Sequence, residues 1–129
     1  MSKLVGLLLF IAIAGCASAP TVSPSVAMTF EDLGCAGDWP SDEPQQTTVV
    51  RTDADGATSF QVRHPASCGL SAKKPGFSIQ GDALTLRYAL YPPSGMAIMC
   101  DCDYRARFRF TNLPSTIKSA SFVWSEHER

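Results

Sequence analysis

Hydrophobic and polar positions alternate with a period of two in two long runs of this chain. In residues 83–91, Leu84, Leu86, Tyr88 and Leu90 fall on one face, and Thr85 and Arg87 on the other. In residues 104–111, Tyr104, Ala106, Phe108 and Phe110 alternate with Arg105, Arg107 and Arg109. Successive side chains of a strand point to opposite sides of its sheet, so each run predicts a strand with one buried face. Shorter signals surround them. Residues 47–51 are rich in β-branched side chains, and residues 58–63 set Phe60 and Val62 on one face. Asp53-Ala54-Asp55-Gly56 lies between these two runs, and Asp-Gly in that position signals a hairpin. Residues 77–80 make a short strand before a Gly81-Asp82 turn. Residues 117–124 make the last one, after the turn Asn112-Leu113-Pro114-Ser115. Residues 31–46, with Gly, Pro and acidic residues around Cys35 and Trp39, predict an irregular stretch with room for one strand. There is no sustained helical period, no internal repeat and no second domain. About six or seven short strands with regular turns predict an all-β domain, a small antiparallel β-sandwich or partly open barrel.

The start of the chain follows a different pattern. Met1, Ser2 and Lys3 precede an apolar run over residues 4–14, which ends in Gly15-Cys16. The run is about half of the ~20 residues that a membrane-spanning helix needs. A short basic start, an apolar core and small residues before a cut site make a secretory signal. Ile13-Ala14-Gly15-Cys16 resembles the lipobox of bacterial lipoproteins: an aliphatic residue, two small ones, then cysteine. The resemblance implies diacylglycerol on the Cys16 sulfur, cleavage before it and acylation of the new amine. Ala17, where an inner-membrane retention signal would usually place Asp, implies export to an outer membrane. The rival is a plain secretory cut after Ala17-Ser18-Ala19, which would leave Pro20 first, a poor position for cleavage. Residues 17–28 are small, polar and punctuated by Pro20 and Pro24, and they predict an extended tether. The expected organisation is therefore a signal peptide at 1–15, lipidated Cys16 and tether at 16–28, and a single β domain at 29–129.

Charge adds an exclusion. Eleven Lys and Arg stand against twelve Asp and Glu, for a formal net charge of −1. That balance implies neither nucleic acid nor an anionic membrane surface as partner. Glu31, Asp32, Asp38, Asp42, Glu43, Asp53 and Asp55 crowd residues 31–55 with Arg51 alone against them, and they predict a solvated acidic face.

Five cysteines are present, and lipid at Cys16 would leave Cys35, Cys68, Cys100 and Cys102. An even number in a small exported domain predicts a disulfide framework. Three connectivities are possible. Cys100 and Cys102 lie two apart, on one face of a strand, and a bridge between them would strain its geometry. The expectation is that one of them bridges to Cys35 and the other to Cys68.

The segment Cys100-Asp101-Cys102-Asp103-Tyr104, continued by Phe108, Phe110, Asn112 and Leu113, resembles a group of small bacterial lipoproteins. That group carries C-x-C-x-Y, an alternating aromatic strand and an Asn-Leu turn. Cys68, Gly81-Asp82 and the strand from Leu84 to Leu90 occupy the places of that group's upstream cysteine and Gly-Asp strand. The likeness covers roughly residues 60–124. It implies a β-sandwich and carries no activity with it. Cys35 and the loop at Tyr91-Pro92-Pro93 have no counterpart in the group.

Several constellations have the residue types for chemistry. His64, Cys68, Cys100 and Cys102 have the donor types of a four-coordinate zinc site, though not the usual C-x2-C spacing. Met96 and Met99 with Cys100 and Cys102 would suit Cu(I). An oxidising compartment favours disulfides over both, and over redox chemistry at Cys100 and Cys102. His64, before Pro65, has no Ser or Cys partner motif and is expected at the surface. His127 lies near the end of the chain. Asp101 and Asp103 flank Cys102 on one strand face; paired acids can do general acid–base work or bind Ca²⁺, but a solvated loop edge is the expectation. Arg105, Arg107 and Arg109 form a stripe that Arg87 would join if the two strands paired. Such a stripe suits a phosphate, an acidic glycan or an acidic protein. Trp39 and Trp124 are expected to pack against the disulfides.

These features together predict a lipid-anchored envelope protein with a structural or binding role, toward a protein partner, a glycan or a secreted enzyme that it inhibits. No catalytic constellation and no cofactor are expected. The alternative is a metal-binding protein using Cys68, Cys100 and Cys102 with His64 or with Met96 and Met99.

Overall fold

The computed structural model describes residues 24–126. The signal segment, Cys16 and most of the tether lie outside the described residues, as does His127. Seven strands are present: β1 (Ala27–Asp38), β2 (Thr48–Ala54), β3 (Ala57–Cys68), β4 (Ser71–Gln80), β5 (Ala83–Tyr91), β6 (Ile98–Thr111) and β7 (Ala120–Glu126). They form a sandwich of two sheets, one of four strands in the order β1-β6-β3-β2 and one of three in the order β4-β5-β7.

The alternating runs bury the faces that their pattern assigns. Leu84, Leu86, Tyr88 and Leu90 of β5 meet Tyr104, Ala106, Phe108 and Phe110 of β6 in the core. Phe60 and Val62 of β3 join them from the four-stranded sheet. Phe108 packs edge-on against Phe30 at 5.0 Å between ring centroids, and Phe122 lies 4.7 Å from Tyr88. Edge-to-face and offset contacts of this kind suit the ring quadrupoles.

All neighbouring strands are antiparallel except β5 and β7. The cause is topological. β6 follows β5 but crosses to the other sheet, so β7 returns to β5 running in the same direction.

The strands run further than their local patterns suggest. β1 begins at Ala27 and continues to Asp38, where an irregular stretch is expected from sequence. Register shifts between Asp32 and Gly34, and again between Cys35 and Asp38, break its alternation without ending its pairing to β6. Asp32 sits at the first shift and accepts hydrogen bonds from the Tyr104 hydroxyl at 2.7 Å, the Ala72 amide at 2.9 Å and the Gly34 amide at 3.0 Å. It therefore ties β1 to both sheets. β3 continues through Pro65, and the register explains why. Pairing to β2 starts at Thr48 opposite Arg63, so beyond that point one side of β3 has no neighbour. A proline, which lacks an amide hydrogen, is tolerated at such a local edge. β4 starts six residues earlier than 77, across a register shift between Lys73 and Gly76.

Strand directions define two poles. The described chain starts at one pole, where Asn112 hydrogen-bonds the Ser25 carbonyl and the Asp55-Gly56 and Gly81-Asp82 turns also lie. The opposite pole holds Trp39, the β3–β4 turn, the 92–97 loop and both disulfides. Cys35 bridges Cys102 and Cys68 bridges Cys100, with Cα separations of 5.7 and 5.5 Å. β6 lies between β1 and β3, so its two cysteines reach opposite neighbours. The expected pairing of each with a different partner is the one found.

Candidate functional site

Arg105, Arg107 and Arg109 do share the outer face of β6, and β3 adds Arg63 directly opposite Arg105. Most of this charge is answered on the spot. Asp103 is buried and holds Arg63 at 2.9 Å and Arg105 at 2.7 Å. Arg63 also reaches Glu43 at 2.7 Å, and Arg107 reaches Glu31 at 2.9 Å. Arg63 lies over the Trp39 ring, 4.4 Å from its centroid, a cation–π contact that helps to fix the guanidinium. The hydrogen bond from Arg105 draws the Asp103 carboxyl below its ordinary value, with Arg63 adding to this and burial opposing it. A shallow hollow of about 370 Å³ beside these groups is lined by Glu43, Thr48, Val50, Gln61, Arg63 and Arg105. Its cations already have carboxylate partners. Arg109 alone of the stripe makes no ion pair among the described residues.

Arg87 does not join the stripe. β5 and β6 lie in different sheets, so Arg87 faces outward from the three-stranded one. There it neighbours Lys74 in a separate hollow. Asp101 and Asp103 do not act as a pair either: Asp101 is exposed, whereas Asp103 is buried between its arginines. The acidic face is also less free than its composition suggests. Glu31, Asp32, Glu43 and Asp53 each accept hydrogen bonds from named side chains or amides.

His64 is not at the surface. Its side chain points into the sandwich and is fully buried, stacked on Trp124 at 4.6 Å between centroids. Nδ1 lies 2.9 Å from the Pro65 carbonyl, and Nε2 lies 2.7 Å from the Tyr88 hydroxyl. A carbonyl only accepts, so Nδ1 carries the proton in the neutral ring and Nε2 accepts from Tyr88. Period two places position 64 on the face of Phe60 and Val62, a signal that Pro65 obscured. Trp124 thus packs on His64, and Trp39 under Arg63. Both ring nitrogens of His64 have other partners, and Cys68, Cys100 and Cys102 are all in disulfides. Met96 and Met99 stand exposed on the loop before and at the start of β6. Among the described residues, no group of three or more His, Cys, Asp or Glu is gathered as for a metal.

The burial of His64 gives the stability a pH dependence. Desolvation pushes its pKa below the ordinary 6.5, the Pro65 carbonyl opposing this in part. The unfolded chain then takes up a proton at a higher pH than the folded one. Below about pH 9, stability is expected to be flat down to about pH 6.5, to fall as His64 titrates below it, and to fall again below about pH 4 as Asp103 loses its charge. Tyr88, Tyr104, Phe122 and Trp124 surround the ring and offer no carboxylate to hold its charged form. Urea midpoints at a series of pH values check this, and His64→Gln is expected to abolish the upper limb alone.

Comparison with family models, curated proteins and solved structures finds no match to this chain.

Proposed function

We propose that this chain is a lipid-anchored binding module of a bacterial cell envelope, held by acyl chains at Cys16 and without catalytic activity. The observation that carries the reading is the sequence Met1–Cys16, a basic start and a short apolar run that ends in Ile13-Ala14-Gly15-Cys16. The fold is in keeping with it. Two disulfides staple a small sandwich, as suits an exported domain. They cluster at the pole opposite the one where the described chain begins, so an anchor upstream of residue 24 would leave that pole facing away from the bilayer. Two or more acyl chains give stable attachment, where one gives only marginal binding. Ala17 after the cysteine favours an outer membrane over an inner one.

The non-catalytic reading is supported by what the candidate groups are already doing. His64 is sealed in the core, and the Asp103 carboxylate is occupied by two arginines. The partner would be an envelope protein, a glycan or a secreted enzyme; the even balance of charge does not favour nucleic acid. A second reading, metal binding through Cys68, Cys100 and Cys102, needs both bridges reduced. Free thiols with stoichiometric metal in protein purified without oxygen would favour it.

Membrane fractionation tests the anchor. The wild-type chain made in a bacterium is expected in the membrane fraction and in the detergent phase of a phase separation. Cys16→Ser is expected to shift it almost wholly, more than tenfold by fraction ratio, to the soluble phase or to an uncleaved precursor. Unchanged partition of a variant that is still cleaved before residue 16 would remove the lipid anchor from the account.

A further inference from the structure

Most cations of the four-stranded sheet are answered by carboxylates, Arg109 excepted, whereas those around β4 and β5 are not. On the four-stranded sheet, Arg63, Arg105 and Arg107 each lie within 2.9 Å of a carboxylate oxygen. On the three-stranded sheet, Lys73, Lys74 and Arg87 make no ion pair among the described residues. The register brings them together: Lys73 stands opposite Ala89, Gly76 opposite Arg87, and Arg87 beside Val123 of β7. Three details suggest a built site. Lys74 sits in the β4 register shift with φ at 53°, a left-handed conformation that is costly for a side chain of its kind. Gly76 leaves bare backbone under the Arg87 guanidinium, where a Cβ would come within 3.0 Å of Nη2 and 3.1 Å of Cζ. A hollow of about 340 Å³ opens there, lined by Lys74, Arg87, Ala89, Val123 and Trp124 among others. Val123 is 54% exposed and gives the hollow an apolar side.

We propose that this hollow binds a compact organic oxyanion, a carboxylate or phosphate carried on a small apolar body. Arg87 would grip two oxygens in its planar fork, and Lys74 would add a point charge. The body of the ligand would rest on Val123 and Ala89. The volume is at the small end of the ~300–1,000 Å³ of small-molecule sites, so one ring with its acid group fills it. The inference goes beyond the macromolecular partners proposed above and gives the module a small-molecule ligand.

The test uses the full chain in detergent with three probes: phenyl phosphate, benzoate and inorganic phosphate. Amide and Arg Nε resonances locate the site, and calorimetry gives the affinity. Saturable shifts are expected at Lys74, Arg87 and Val123, with phenyl phosphate or benzoate bound at least fivefold more tightly than inorganic phosphate. Arg87→Gln and Lys74→Gln are each expected to weaken binding at least tenfold. Gly76→Ala keeps every charge but crowds the guanidinium, and is expected to weaken binding several-fold. Lys118→Gln, a change of charge outside the hollow, is expected to change nothing. Shifts confined to the Arg109 face, affinity indifferent to Arg87→Gln and Lys74→Gln in folded protein, or no saturation would each overturn the proposal. Equal binding of inorganic phosphate would overturn the organic body. These readouts do not require lipid at Cys16, so a failed pocket and a failed anchor are told apart.

Discussion

Removing both disulfides is expected to abolish cooperative unfolding of this domain. The Cys35–Cys102 bridge closes a sequence separation of 67 residues, and Cys68–Cys100 one of 32. In the chain-entropy account, each of these loops restricts the unfolded chain by about 4 kcal/mol. Domains of this size are stable by only ~5–15 kcal/mol in total. Cys35→Ala with Cys102→Ala, or Cys68→Ala with Cys100→Ala, should each leave a folded but weakened protein. The first pair is expected to cost more, because its loop is longer and the Cys102 side chain has no exposure at all. All four substitutions together should leave a chain whose circular dichroism changes without a transition in urea. A loss below about 1 kcal/mol for either pair would mean that the sheets hold without their staples.

Phe108→Ala is expected to cost about 3–5 kcal/mol, the range for deleting a fully buried aromatic ring. Phe108 has no exposed surface and meets Phe30 of β1, Tyr88 of β5 and Phe122 of β7. Its removal would open a void between the two sheets rather than at their rim. β1 and β7 lie at sheet edges, where relaxation is easiest, which sets the effect nearer the lower end of the range. Urea unfolding at pH 7.5, with the disulfides intact, measures it. A cost under 1 kcal/mol would show that the sandwich interior is not packed as described.

The parts of this fold legible in the sequence are those where one strand face is uniformly apolar. β5 and β6 announce themselves through Leu84 to Leu90 and Tyr104 to Phe110, and the hairpin of β2 and β3 through Asp55-Gly56. The parts hidden from sequence are those where tertiary pairing overrides a broken pattern. β1 crosses two register shifts, and its Cys35 is drawn to Cys102 by a partner 67 residues away. Pro65 reads as the end of a strand only until the short reach of β2 is known. The arginine stripe was visible as a period, but not its neutralisation: Asp103 and Arg105 are neighbours on β6, while Arg63 and Glu43 arrive from elsewhere in the chain. Arg87 joins the stripe only if β5 and β6 pair, and sequence alone does not show that β6 crosses to the other sheet. Lys73 and Lys74 stand before Pro75-Gly76, a pair at which a strand is prone to bulge.

The intact mass of the mature chain, made in a bacterium that lipidates exported proteins and alkylated before reduction, tests the central claim most directly. The account predicts a mass that starts at Cys16 and carries acyl chains, with four hydrogens missing and no alkylation of Cys35, Cys68, Cys100 or Cys102. A mass that starts at Pro20 without lipid would contradict the anchor. Four alkylated thiols would contradict the disulfide-stapled sandwich and bring forward the metal-binding reading.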